Sequence, residues 1–271
     1  NRTSPFAFTG NRFEFRAVGS SANVASPMIT LNTVVANQLI EFKKDVDTLI
    51  EKDIKKDEAI FQVLKKYITA SGKIRFEGNG YGEDWVKEAA KRGLANVADV
   101  PEALKAFITK HTKDVFEKSH VLTERELEAR YDIRLEIYTK KVQIEARVLG
   151  DLVRNHIIPT LIKYQNVLID NVRGIKELYP NEIYKKMADP HLKTISEISE
   201  RMAIIKDAVD EMIEARRKAN NIEDIREKAA DYSLYVVPYF EKIRYHVDKL
   251  ELIVDDEIWP FPKYREMLFT R

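Results

Sequence analysis

Residues 123–152 read TERELEARYDIRLEIYTKKVQIEARVLGDL, and this stretch decides the fold. Thr123 followed three positions later by Glu126 has the form of a capping box, in which two side chains satisfy free N–H groups at the start of a helix. Apolar residues then recur at helical spacing over many turns, namely Leu127, Tyr131, Leu135, Tyr138, Val142, Leu149 and Leu152. The pattern predicts one long amphipathic helix, which Pro159 kinks or ends.

Two further long helices are predicted towards the carboxyl end. One is expected to start at Asp189-Pro190 and the other near Ile225, with a kink at Pro238. Because apolar steps of three and four extend over several heptads, long antiparallel helices packed as a bundle are favoured. Residues 123–271 are therefore predicted to form a helical bundle domain.

Residues 1–122 show a different pattern. The first 26 residues lack helical periodicity, and residues 12–16 (Arg-Phe-Glu-Phe-Arg) alternate strictly between charged and aromatic side chains. Period two predicts a short strand with one ionic and one apolar face. Shorter helices are predicted at about 27–56, 58–70 and 83–92, with another beginning at Pro101. The predicted fold is mainly α, a long-helix bundle with a short β element at the N-terminus.

Composition excludes several classes of partner. The chain has 45 basic and 44 acidic side chains, a formal net charge of +1, so no global field steers it to nucleic acid or to an anionic membrane. It has no cysteine, which rules out disulfides and thiolate metal ligands. No stretch approaches the ~20 apolar residues of a membrane span. A cytoplasmic protein is expected, and the start at Asn1 without methionine suggests that an upstream part is missing.

The charged strand face is the feature most suggestive of chemistry. Arg12 and Arg16 offer planar forks that suit phosphate or carboxylate, and Glu14 between them suits a hard divalent cation. A nucleotide, a metal ion and an anionic substrate would satisfy all three side chains. The structural alternative is an exposed edge strand with ion pairs between neighbours on one face. The residues alone leave both interpretations open.

A resemblance to a known family favours the first interpretation. Asn1-Arg2-Thr3-Ser4, followed about ten residues later by the Arg12-x-Glu14-x-Arg16 strand, resembles the glutamine synthetases. Ser21-Ala22-Asn23 before a helix resembles the Ala-Asn-Pro turn of that family, and the segments at 5–10 and 76–81 resemble its type III branch. The resemblance implies that the β element is the remnant of an α+β catalytic domain, with residues 1–122 its C-terminal part.

Roles for individual residues follow from the resemblance. It implies that Arg2 holds the phosphoryl group in transfer and is catalytic, and that Arg12 binds the nucleotide phosphate. Glu14 would be a ligand of Mg²⁺ or Mn²⁺, and Arg16 would bind the carboxylate of glutamate. The implied reaction is ATP-dependent ligation of ammonia to glutamate through γ-glutamyl phosphate. The implied assembly is a homo-oligomer of stacked rings.

Two departures from the family pattern qualify the resemblance. Val24 stands where the family turn has proline, and Ala7 stands where many type I enzymes have an arginine. The chain also lacks the several carboxylates and the histidine that hold the family's metals, because these lie upstream of Asn1. The 271-residue chain alone is therefore expected to be inactive.

A rival function belongs to another class of protein. Long helices with a solvated charged strand also fit a non-enzymatic helical scaffold or oligomerisation module. A long upstream sequence with a glycine-rich metal and nucleotide segment would favour the enzyme, and translation starting near Asn1 would favour the scaffold.

Overall fold

A computed structural model of the chain describes residues 6–8, 12–15, 22–76, 78–80 and 82–269. The described part is mainly α-helical, which confirms the predicted fold class. The chain divides into two compact units, Asn1–Tyr131 and Asp132–Arg271. The predicted domain boundary after residue 122 falls inside the first of these units and stays a prediction.

The β element is a two-stranded antiparallel hairpin. Strand β1 covers Phe6–Phe8 and strand β2 covers Phe13–Phe15. In the register, Phe6 pairs with Phe15, Ala7 with Glu14 and Phe8 with Phe13. Because side chains on a strand alternate between its two faces, Arg12 and Glu14 project to the same side.

Five short and medium-length helices follow in the first unit. They are α1 Ala25–Ile50, α2 Lys56–Ala70, α3 Glu83–Lys91, α4 Val100–Leu104 and α5 Lys110–Lys118, with single 3-10 turns at Ser71–Ile74 and Lys105–Ile108. The sequence predicted α1, α2, α3 and a helix from Pro101, although α1 ends at Ile50 instead of near residue 56 and α5 was not predicted as a separate helix. After α3, Gly93 adopts a φ of 73°, a left-handed conformation that glycine reaches without steric cost and that commonly ends helices.

Helices α1 and α2 pack against each other through a small apolar core. Its fully buried members are Val46, Ala59 and Val63. At the edge of this core, Lys66 Nζ and Tyr67 Oη both donate to Asp45 Oδ2, at 2.8 and 3.2 Å. The hydrogen bond from Lys66 lowers the pKa of Asp45 below its ordinary value. The pair therefore joins the two helices as a charge-assisted contact.

Arg92, at the end of α3, holds the loop that precedes this helix. Its Nη1 donates to the backbone oxygens of Lys73 and Arg75, at 3.3 and 2.8 Å. The guanidinium also lies 5.5 Å from the ring centre of Trp85, which stacks on Phe76 with ring centres 4.0 Å apart. One cation thus satisfies two loop carbonyls and covers an aromatic pair.

Long helices make up the second unit. Helix α6 Glu124–Leu152 begins in the first unit and is followed by α7 Ile158–Leu178, α8 Asn181–Asn220, α9 Ile225–Asp231, α10 Pro238–Glu251 and α11 Tyr264–Met267. The predicted capping box starts α6: Thr123 N donates to Glu126 Oε2 at 2.8 Å, and Glu126 N donates to Thr123 Oγ1 at 3.3 Å. None of the helices in the described ranges has the length and apolar character to cross a bilayer.

Contacts between helices show that the long helices run antiparallel. Three side-chain pairs join α8 to the segment from α6 to α7, namely Gln143–Asn220, Arg154–Asp210 and Gln165–Ser199. The residue number rises on one side of these pairs and falls on the other, as it does between antiparallel helices. Lys242–Glu211 and Arg201–His246 connect α10 to α8 with the same reversed order. The core between these helices is fully apolar at residues such as Ile198, Ile205, Met212 and Ile243. The predicted bundle of long antiparallel helices is present within this unit.

Two prolines are accommodated by widened helical turns. Each of Pro159 and Pro238 follows a π-helical turn, at Val153–Ile157 and Tyr232–Val236. In both turns the residue before proline bonds to the carbonyl five positions back, Ile158 to Val153 and Val237 to Tyr232. Proline has no N–H and its ring clashes with the carbonyl four residues back, so one extra residue in the turn relieves the conflict. Both prolines therefore interrupt α-helix, as predicted.

The predicted start of a helix at Asp189-Pro190 is wrong. Helix α8 begins at Asn181, and Pro190 lies inside it. Proline is usual in the first turn, which misled the prediction, yet the true first turn follows Pro180. Pro190 and Lys186 are both exposed, so the carbonyl that loses its helical partner can bond to water.

Candidate functional site

The structure describes two of the four predicted site residues. Arg12 and Glu14 lie on the same face of the hairpin, with Arg12 Nη2 3.5 Å from Glu14 Oε1. Arg2 and Arg16 lie outside the described residues, so the structure does not bring the predicted set together. The roles assigned to all four remain predictions.

The two described side chains differ in exposure. The side chain of Arg12 is 72% exposed, whereas that of Glu14 is 34% exposed. At 3.5 Å and this exposure, the ion pair contributes about 0–1 kcal/mol to stability. Folding thus gains little from this ion pair.

The described residues do not form a metal site by themselves. A divalent cation of the Mg²⁺ type takes about six oxygen ligands, usually with more than one carboxylate. Within the described ranges, no group of three or more His, Cys, Asp or Glu side chains is placed to hold a metal ion. Glu14 offers one carboxylate, which is too few for such a site.

The histidines are distributed singly over the helices. His246 is half-buried in α10, where Arg201 Nη1 lies 3.3 Å from its Nδ1. Burial, together with the nearby Arg201 and Lys242, lowers the pKa of His246, so its ring is neutral at pH 7. His120 follows α5 with a φ of 52°. His120 therefore lies at a helix end, whereas His246 lies inside α10.

A second polar site lies in the second unit and was missed by the sequence analysis. Tyr232 is fully buried and donates from its hydroxyl to Asn220 Oδ1 at 2.7 Å. Gln143 Nε2 donates to the same oxygen at 3.0 Å. Burial raises the pKa of Tyr232, so the phenol stays protonated. The network joins α6, the end of α8 and the second π-helical turn.

This network lies beside a cleft of about 430 Å³. The residues that line it are Asp132, Ile133, Glu136, Thr139, Lys140, Gln143, Asn220, Ile225 and Lys228. Gln143 and Lys228 are 85 positions apart in sequence, and no motif connects them. No sequence pattern could therefore have identified the cleft.

Comparison with known proteins gives the class of the chain. A family model described as the glutamine synthetase C-terminal domain matches residues 59–176. The whole chain is 54% identical to the glutamine synthetase of Bacteroides fragilis (strain YCH46) and spans 37% of that protein. It is 30% identical to a glutamine synthetase of Butyrivibrio fibrisolvens and spans 38% of it. The chain is therefore similar to glutamine synthetases over its whole length, and it spans little more than a third of these relatives.

The predicted branch of the family is also confirmed. The chain is 35% identical over its full length to a protein of Dictyostelium discoideum named type-3 glutamine synthetase, of which it spans 37%. The resemblance that rested on a few N-terminal motifs therefore extends to the helical part of the chain.

Proposed function

We propose that the chain is the C-terminal part of a type III glutamine synthetase, which ligates ammonia to glutamate with ATP through γ-glutamyl phosphate. The observation that carries the proposal is 54% identity to the Bacteroides glutamine synthetase over all 271 residues. Glutamate, ammonia and ATP are the proposed substrates. A cytoplasmic location and a ring-shaped homo-oligomer are part of the same proposal.

The charged face of the hairpin is the proposed contribution of this chain to the active site. Arg12 has a planar guanidinium that can form two parallel hydrogen bonds to a nucleotide phosphate, and its high exposure leaves it accessible. Glu14 would add one carboxylate to a metal site completed elsewhere in the protein. Arg2 is proposed to stabilise the phosphoryl group and Arg16 to bind the glutamate carboxylate. ATP with Mg²⁺ or Mn²⁺ would supply the activated phosphoryl group.

Positioning and charge are the physical contributions of these side chains. In phosphoryl transfer, fixed cations stabilise the charge that develops on oxygen atoms in the transition state. A single described carboxylate cannot hold a divalent cation, so the chain alone is proposed to be inactive.

A chimera tests the proposal directly. The segment of the Bacteroides relative that aligns with the 271 residues is replaced by this chain, and glutamine formation from glutamate, ammonia and ATP is measured. We expect activity from the chimera and none from the purified chain. An inactive chimera that folds and assembles like the Bacteroides protein would refute the proposed function, and synthesis by the chain alone would refute its proposed dependence on other sequence.

Strand variants of the chimera separate the enzyme from the scaffold. Arg12→Ala and Glu14→Gln are each expected to lower kcat/KM at least about a hundredfold, a loss of ~2.7 kcal/mol of transition-state stabilisation. Arg173→Ala is the matched control, because its side chain is also 72% exposed and also in an ion pair, with Asp170. Equal turnover in all three variants would favour the scaffold, in which the charged face is solvated surface.

A further inference from the structure

The cleft of the second unit has the size and composition of a small-molecule site. Its volume of about 430 Å³ falls within the ~300–1,000 Å³ typical of ligand pockets. Two acidic side chains, Asp132 and Glu136, and two basic ones, Lys140 and Lys228, line it. The lining is therefore balanced in charge, and it does not select a simple anion or a simple cation.

Pairing among these charges leaves one cation available. Glu136 Oε1 lies 2.6 Å from Lys140 Nζ, and Asp132 Oδ1 lies 3.3 Å from Arg226 Nε. Lys228 is half-buried at the cleft and has no ion pair with any residue that the structure describes. A half-buried ammonium without a counter-ion favours an anionic group of a ligand.

The polar groups of the cleft also lack part of their partners. Thr139 is 6% exposed, and its Oγ1 has no hydrogen-bond partner in the described chain. Such an orphaned hydroxyl costs about 1–3 kcal/mol. Gln143 donates to Asn220 through its nitrogen, and no described residue bonds to the Gln143 oxygen or the Asn220 nitrogen, which leaves both for a further amide.

We propose that this cleft binds a free α-amino acid with a carboxamide side chain. Lys228 pairs with the carboxylate of the ligand, and Glu136 with Asp132 faces its ammonium group. The carboxamide meets the free amide groups of Gln143 and Asn220, as both a donor and an acceptor. The balanced lining excludes nucleotides, whose several negative charges would meet the two carboxylates. This inference stands independently of the proposed ligase activity.

Calorimetric titration of the 271-residue chain with L-glutamine is the test. We expect saturable binding at one site, at least tenfold tighter than that of L-norleucine, which lacks the carboxamide, and of butyramide, which lacks the zwitterion. Lys228→Ala is expected to weaken L-glutamine binding at least tenfold. Lys206→Ala, an exposed lysine of α8 outside the cleft, is the matched control and leaves the affinity unchanged.

One further variant makes the result decisive. Thr139→Val removes the orphaned hydroxyl, so we expect weaker binding of L-glutamine without loss of thermal stability. The proposal is overturned if L-glutamine does not bind, if L-norleucine binds equally well, or if the affinity for L-glutamine is unchanged in both Lys228→Ala and Thr139→Val.

Discussion

The buried hydroxyl of Tyr232 provides the most quantitative test of the second unit. Tyr232→Phe removes one hydrogen bond, the 2.7 Å contact to Asn220, and keeps the ring in place. The net loss for such a bond is about 1 kcal/mol. Asn220→Ala is expected to cost more, about 2–3 kcal/mol, because it leaves the fully buried hydroxyl and the Gln143 amide without their acceptor.

The double variant distinguishes this network from ordinary packing. Once Asn220 is alanine, Tyr232→Phe removes an orphaned hydroxyl and should cost nothing further. We therefore expect the sum of the two single losses to exceed the double loss by about 1 kcal/mol. Tyr235→Phe is the matched control, because Tyr235 lies in the same π-helical turn but is 54% exposed.

Urea denaturation followed by tryptophan fluorescence gives these values. Trp259 is buried in the core of the second unit, so a Trp85→Phe background makes the emission report that unit alone. Additive losses, within about 0.5 kcal/mol, would show that the hydroxyl of Tyr232 and the amide of Asn220 act separately. That result would refute the network.

The same tyrosine gives a dependence on alkaline pH. Burial raises the pKa of Tyr232 above the value of about 10 that it has in the unfolded chain. The folded state therefore retains the proton longer, and its stability is full below pH ~10 and falls as the pH rises through the folded pKa. In Tyr232→Phe we expect a shallower alkaline loss in the same fluorescence assay; an unchanged slope would contradict the assignment.

Three other predictions concern local contacts. Thr123→Ala should cost about 1 kcal/mol in urea denaturation, because it removes half of a capping box, and a loss below ~0.3 kcal/mol would show that the box contributes nothing. Lys66 lowers the pKa of Asp45, so the pair stabilises the folded state above pH ~4 and this stabilisation is lost as the pH falls. In Asp45→Asn we therefore expect the free energy of unfolding to fall less steeply at acid pH. An unchanged dependence on pH would refute this. Arg92→Ala should speed hydrogen exchange around Phe76, and unchanged exchange would show that the loop holds without the guanidinium.

Local features of the fold were predictable because their physical causes lie within a few residues. The capping box of Thr123 and Glu126 forms as the sequence predicts, and apolar steps gave the long helices with small errors at the ends. The error at Pro190 has a similar local origin, since proline is common at helix starts and only the packing of α8 shows that an exposed proline is tolerated inside it.

The candidate site was also predictable only in part. Alternation along residues 12–16 placed Arg12 and Glu14 on one face, where they lie in the structure, and the family resemblance supplied the roles proposed for them. The ion pair between them is the neighbour contact that the structural alternative expects, whereas their unequal exposure could not be read from the alternation, because exposure depends on groups distant in the chain. Whether several metal ligands lie close together depends on the positions of all the described residues, and residues 12–16 alone do not show it.

Long amphipathic helices follow from the sequence alone, and the N-terminal motifs indicate a resemblance to the glutamine synthetases. The tertiary structure was needed to show that Gln143, Asn220 and Tyr232 share one hydrogen-bonded network and that Lys228 lies at the cleft beside it without an ion pair among the described residues. The physical reason is the distance along the sequence between the residues that interact. Helical periodicity depends on neighbours three and four positions apart, whereas the cleft depends on how an antiparallel helical pair and a π-helical turn bring distant side chains together.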